Sequence, residues 1–188
     1  MHAMLALAFL VGCPEDDTDA NDTDTADTDV TDACSDPVAP PVQQAVAVLS
    51  GELTSFSGCG DVVFYAMDAD SLLLVVHVNN ALADAEAVCP TGPVTTVYEL
   101  PDGAITVGLD QGTFLHGPCT GEQPPDEPVV EQHYDAIGGT ATLTIWPAES
   151  GGMADLDLAN VVLHPATGDD VTVANVGWVG IGVGFYPP

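Results

Sequence analysis

Gly139-Thr140-Ala141-Thr142-Leu143-Thr144-Ile145-Trp146 is the stretch from which the fold can be read. Ala141, Leu143 and Ile145 fall on one side of an extended chain and Thr140, Thr142 and Thr144 on the other, the period of two that a half-buried β-strand requires. Upstream, Val62 to Met67 and Leu72 to Val78 are apolar on both faces, which predicts two central strands joined by a hairpin turn at Asp68-Ala69-Asp70-Ser71. Downstream, Asp155-Leu156-Asp157-Leu158 alternates as well, but the parity slips at Ala159-Asn160 before Val161 and Leu163. A one-residue slip would turn every later side chain to the wrong face, so a β-bulge is expected near Asn160. Thr167-Gly168-Asp169-Asp170 turns the chain into Val171 to Val176, and a last strand from Trp178 to Tyr186 would face Val179, Ile181, Val183 and Phe185 inward. Only Ala81 to Val88 reads as helix, and Pro90 stops it after about two turns. A parallel βαβ architecture needs far more helix. About ten strands in residues 37–188 predict an all-β fold, an antiparallel two-sheet β-sandwich, with the proline-rich acidic stretch Gly121 to Pro128 as an exposed loop.

Charge excludes whole classes of function. The 188 residues include no Lys and no Arg against 29 Asp plus Glu, a formal charge of −29. Ordinary composition would supply about 20 basic residues. Nucleic-acid binding requires cations to displace counterions from phosphate, and this chain has none. A basic patch for anionic lipid headgroups, a phosphate-binding lysine and a lysine Schiff base are absent for the same reason. The carboxylates have no internal salt-bridge partner except a protonated histidine. Self-repulsion then weakens the compact state when screening is poor, and the composition points to a salt-rich setting.

The first 36 residues are of another kind. Met1 to Gly12 are nearly all apolar and too short for a bilayer, since twelve residues rise only about 18 Å as a helix against a hydrocarbon core of about 30 Å. A short apolar run ending in small residues reads as a secretory signal. Leu10-Val11-Gly12-Cys13 resembles the lipobox of bacterial lipoproteins. That resemblance implies cleavage before Cys13 and a lipid on that cysteine, with attachment to the outer membrane or cell surface rather than the inner membrane. The only cations before the apolar run are the terminal amine and His2, which an upstream start or an atypical signal would explain. Residues 13–36 form an acidic tether: from Pro14 to Asp36, ten of 23 residues are acidic, none is aromatic, and Val30 is the only larger aliphatic. Such a segment buries too little apolar surface to offset its ordering entropy, so disorder is expected. Asp-Thr-Asp recurs every five residues from Asp17, Asp22 and Asp27, and like charges extend such a chain into a spacer. Asp17, Asp19 and Asn21 supply oxygen ligands of the kind calcium takes, but Asp22 stands where an EF-type loop needs glycine.

Setting Cys13 aside leaves Cys34, Cys59, Cys89 and Cys119, an even number in an exported domain, and hence two disulfides with three possible connectivities. Moderate loop lengths favour Cys34–Cys59 with Cys89–Cys119. No Cys-x-x-Cys supports a zinc ribbon or a redox site.

No Gly-x-Ser-x-Gly elbow and no His-Glu-x-x-His pattern occurs. The one row with metal-ligand chemistry is Glu131, His133 and Asp135, which project from one face of a strand at period two and would need a further ligand such as another histidine. The commoner explanation of such a row is a solvated strand face. His77 reads as a core histidine, while His116 and His164 fall at strand ends. Gly177, Gly180, Gly182 and Gly184 leave a strip without side chains, which either a flat ligand (on Trp178 or Trp146 as a platform) or neighbouring groups would cover. The combined expectation is a lipid-anchored cell-envelope protein with a structural or interaction role and no catalytic activity. The competing expectation is an exported binding module for carbohydrate, peptide or a divalent cation, calcium among them. Partners on either reading are the membrane, through the lipid, and an envelope protein or glycan.

Overall fold

A computed structural model of the chain describes residue 34 and residues 38–60, 62–68, 71–114, 117–119 and 129–184. The signal segment with Cys13, the acidic tether up to residue 33, His116, residues 121–128, Phe185 and Tyr186 lie outside the described residues.

Ten strands and one helix follow one another along the chain. β1 (Val46–Val48) and β2 (Gly51–Leu53) pair as a small antiparallel sheet. The remaining strands are β3 (Ser55–Cys59), β4 (Val63–Met67), β5 (Leu72–Val78), β6 (Val94–Glu99), β7 (Ile105–Thr113), β8 (Val129–Ala148), β9 (Gly151–Pro165) and β10 (Val171–Val183), with α1 (Ala81–Val88) between β5 and β6. They form one eight-stranded sheet in the order β10-β9-β8-β7-β5-β4-β3, with β6 on the same side of β8 as β7. All pairings are antiparallel. The sheet curls until its two ends nearly meet: β10 packs beside β3, and the Gly184 N–H donates to the Gly60 carbonyl at 2.5 Å. The all-β antiparallel class is therefore observed, with the strands distributed over one nearly closed sheet and a hairpin. No described strand pairs with the other edge of β6, where Thr96 and Val97 are exposed.

The curl comes from bulges in strands long enough to span the whole sheet. Residues 131–135 and 139–146 belong to a single 20-residue strand, β8, whose register with β9 shifts on both sides of Gly138. Gly139 has φ +113°, and a Cβ there would stand 2.7 Å from the Val161 Cα. Across the ladder Asn160 takes φ +51°, and the buried set of β9 passes from Ala154, Leu156 and Leu158 to Val161 and Leu163. The expected bulge thus sits at Asn160, opposite the Gly138–Gly139 corner. A further bulge was not foreseen. The β9–β10 register shifts between Trp178 and Ile181, with Gly180 at φ +63°. Val171 to Val183 is consequently one strand, and Val179, expected inward, is 38% exposed while Trp178 is fully buried.

A single core runs through the curl, with Leu53, Phe64, Leu74, Leu109, Leu143, Leu156, Leu163 and Trp178 among its fully buried side chains. The outer faces of β4 and β5 are apolar because a second, smaller cluster covers them: Tyr65 and Leu73 pack with Phe114, joined by Met67, Val75 and Cys119. The covering segment lies close enough for Gly117 to sit against the Tyr65 ring. Asp68 fixes the β4–β5 turn, its carboxylate accepting from the Ser71 N–H at 2.6 Å, the Ser71 hydroxyl at 2.6 Å and the Leu72 N–H at 2.8 Å. Residues 69 and 70 of that turn lie outside the described residues.

The disulfides are Cys34–Cys89 and Cys59–Cys119, with Cα separations of 5.7 and 5.6 Å. All four expected cysteines pair, but the connectivity replaces the expected Cys34–Cys59 with Cys89–Cys119. Loop length was the wrong guide. Cys89 closes α1, where it meets Cys34, while Cys59 ends β3 and meets the segment laid across β4 and β5.

Candidate functional site

The outer face of the sheet where β7, β8 and β9 run side by side collects most of the chemistry among the described residues. Alternation buries Leu109, Tyr134 and Leu163 inward, so Asp110, His133, Asp135 and His164 point out. Register then aligns them: Asp110 stands opposite His133, Gly108 opposite Asp135, and Asp135 opposite His164. His133 lies between two carboxylates, with Nδ1 2.5 Å from Asp110 Oδ1 and Nε2 3.1 Å from Asp135 Oδ1. Gly108 makes this possible, because a Cβ there would lie 3.1 Å from the His133 Cε1. His164 repeats the motif on the next strand, its Nδ1 2.7 Å from Asp170 Oδ1.

His133, Asp135 and His164 line an open cleft of about 440 Å³ together with Glu131 and Ile137 from β8 and Pro165 from β9. The Gln132 side-chain amide donates to the Thr167 carbonyl at 2.8 Å and ties β8 to the loop after β9 at one end. The expected row of Glu131, His133 and Asp135 therefore exists on one exposed face. Asp110, His164 and Asp170 were not assigned to it from sequence. The outward parity of Asp110 in Val107-Thr106 and Leu109 alternation was a readable signal, but its place beside His133 depends on register. Among the described residues no three His, Cys, Asp or Glu side chains converge on a single point.

In a chain without Lys or Arg, histidine supplies the side-chain cations. The pKa of His133 is raised above 6.5, first by its hydrogen bond to Asp110 and then by that to Asp135, with partial burial opposing. The unfolded chain lacks these partners, so the folded pKa exceeds the unfolded one. The resulting stability is fully present below about pH 6.5 and fades as pH rises through the raised value. His133 is 52% exposed and Asp135 81%, so screening limits the increment to about 0.2–1 kcal/mol. In chelator-treated protein at fixed ionic strength, the difference in unfolding free energy between wild type and His133→Gln should shrink by about that amount from pH 5.5 to 8.5. A difference that stays constant or grows over that range would contradict the ion-pair assignment.

The other candidates resolve into structure. The Trp178 indole is core, not a platform: it stacks edge-on to Phe56 at 5.8 Å and against Phe64 at 5.9 Å, and its Nε1 donates to the Tyr65 carbonyl at 2.9 Å. Two of the four glycines of the strip, Gly177 and Gly184, are covered by the chain itself. A Cβ at Gly177 would lie 2.9 Å from Pro41 Cβ, and one at Gly184 would lie 2.7 Å from a Leu82 methyl. Asp155 is buried and accepts the Gly180 N–H at 2.6 Å, so it holds the β10 bulge. Asp157 beside it is half-buried, and burial raises its pKa. Both line a crevice of about 130 Å³ with Thr142 and Thr144, roofed by residues 38–41. His77 is half-buried within β5. No helix among the described residues is long and apolar enough to cross a membrane. No protein-family model matches the chain, and no curated protein or solved structure matches it either.

Proposed function

We propose that this is a lipid-anchored cell-envelope protein: the signal is removed before Cys13, the lipid sits on Cys13, and residues 13–36 hold the β-domain away from the outer membrane or cell surface. The observation that carries the reading is the pair of disulfides, Cys34–Cys89 and Cys59–Cys119, because such cross-links persist in oxidising compartments outside the cytoplasm. The role is structural or interactive rather than catalytic. The bulged strands β8, β9 and β10 would act as the corners of a sandwich, each passing part of its length to either layer. Such a frame is stiff and presents the carboxylates of its outer faces to solvent, an envelope protein or a glycan.

Cys13→Ser tests the anchor. In a Gram-negative host the wild-type chain is expected in the membrane fraction with incorporated palmitate, and the variant in the soluble fraction without label. Equal distribution of the two, with no palmitate on either, would refute the lipoprotein reading. A second reading, a module that binds a divalent cation, draws on the cleft of Glu131, His133, Asp135 and His164.

A further inference from the structure

We propose that the cavity between α1 and β6 binds a small organic amine, a molecule of about ten non-hydrogen atoms with an apolar body and one protonated nitrogen. The inference concerns the folded domain and stands whether or not Cys13 carries a lipid.

The cavity originates in the sequence of the helix. Ala81, Asp84, Ala85 and Val88 stand at positions i, i+3, i+4 and i+7 of α1, the stripe that ordinarily carries the bulky side chains filling the space beneath a helix. Here two of the four are alanine and a third is a carboxylate. Facing them, β6 turns Val94, Thr96 and Tyr98 to one side, and β8 supplies Leu143 and Ile145 as a buried floor. A space of about 240 Å³ is left between helix and sheet. Protein interiors leave few voids larger than a water molecule, and an apolar cavity of about 150 Å³ already holds benzene. In proportion, the α1–β6 cavity holds a six-membered ring with a short arm.

The walls are apolar, but the rim is polar and its charge is of one sign. Asp84 is exposed there, and among the described residues its carboxylate has no hydrogen-bond or ion-pair partner. With no Lys or Arg, the chain has no strong base to place against it. Tyr98 lies close by. Its pKa is raised, first by burial and then by the charges of Asp84 and Asp102, against an opposing hydrogen bond from Thr96. The phenol is therefore neutral at pH 7 and offers an oxygen lone pair, and Asn79 brings an amide oxygen to the same rim. A protonated amine can donate to all three while its body covers the alanines and the β8 floor. An anion would be repelled by both carboxylates, and a neutral molecule would leave Asp84 uncompensated. A few convergent polar groups over an apolar wall are what a small-molecule site requires.

The test is titration of the full, oxidised chain with 2-phenylethylamine at pH 7 and fixed ionic strength, followed by calorimetry and by the methyl resonances of Ala81, Ala85 and Ile145. One saturable equivalent is expected below about 1 mM. The three methyl signals should shift together while that of Ala66, buried in β4, stays still. 2-Phenylethanol, the same body without the charge, should bind about 5-fold more weakly, and 3-phenylpropanoate should not saturate. Ala85→Leu fills the cavity and should abolish saturable binding of amine and alcohol alike. Asp84→Asn should weaken the amine about 5-fold and leave the alcohol unchanged. Absence of saturation, an amine affinity unchanged in both variants, or equal affinities for amine and alcohol would overturn the proposal and leave only cations loosely held by the overall charge. The wild-type methyl shifts locate the site even if Ala85→Leu misfolds.

Discussion

Replacing Cys59 and Cys119 together with serine is expected to lower the stability of the oxidised protein by about 4 kcal/mol. The bond joins residues 60 apart, and a cross-link across a loop of that length removes about that much conformational freedom from the unfolded chain. There is a native-state component as well. Cys119 packs at the edge of the cluster of Tyr65, Leu73 and Phe114, so losing the link loosens the cover on the outer faces of β4 and β5. For a folded part of this size 1 kcal/mol corresponds to about 2–4 °C, so the thermal midpoint should fall by about 10–15 °C. Thermal and urea unfolding of the double variant measure it directly, with the Cys34–Cys89 bond left intact. A fall below about 3 °C would mean that the covering segment is held without the cross-link.

Trp178→Ala is expected to have a comparable effect, about 3–5 kcal/mol. The side chain is fully buried between Phe56 and Phe64 at the seam where β10 approaches β3, so its removal opens a cavity at the point where the sheet nearly closes. It also removes the donor to the Tyr65 carbonyl. Trp178→Phe separates the two contributions. It retains most of the apolar surface and loses the N–H, and should cost about 1–3 kcal/mol. Chemical denaturation followed by circular dichroism gives both values. A loss under 1 kcal/mol for the alanine variant would contradict the packing described. A typical domain has only about 5–15 kcal/mol in total, so either change brings the protein near the edge of unfolding.

Local features of this fold were legible in the chain. The threonine face of β8, the doubly apolar β4 and β5, the short α1 and the bulge at Asn160 each follow from a period or its interruption within a few residues. What depends on contacts between distant segments was not legible. Nothing local distinguishes β6 from β7 as the neighbour of β8, because the two lie end to end along its same side. Nothing local brings Cys119 over β4, and nothing in Trp178-Val179-Gly180 marks a bulge in a stretch whose hydrophobic residues fit either parity. The candidate site divides in the same way. Glu131, His133 and Asp135 share a face by simple alternation. Asp110 and His164 join them only through the registers of β7 and β9 with β8, and Asp170 enters through its contact with His164 across the turn before β10.

The edge of β6 that no described strand covers has a consequence for how the protein behaves in company. A strand edge without a partner is a template on which a second copy could lay down a strand, and Val97 of β6 is 60% exposed. At neutral pH, mutual repulsion between two molecules of formal charge −29 guards this edge. That guard is removed by acid, as the pH approaches the isoelectric point near 4.1, and weakened by salt, which shortens the range of repulsion. The ions that relieve crowding among carboxylates inside one molecule are thus the same ions that let neighbours approach. Solubility and folding stability respond to salt in opposite directions, and the concentration at which this protein works must satisfy both.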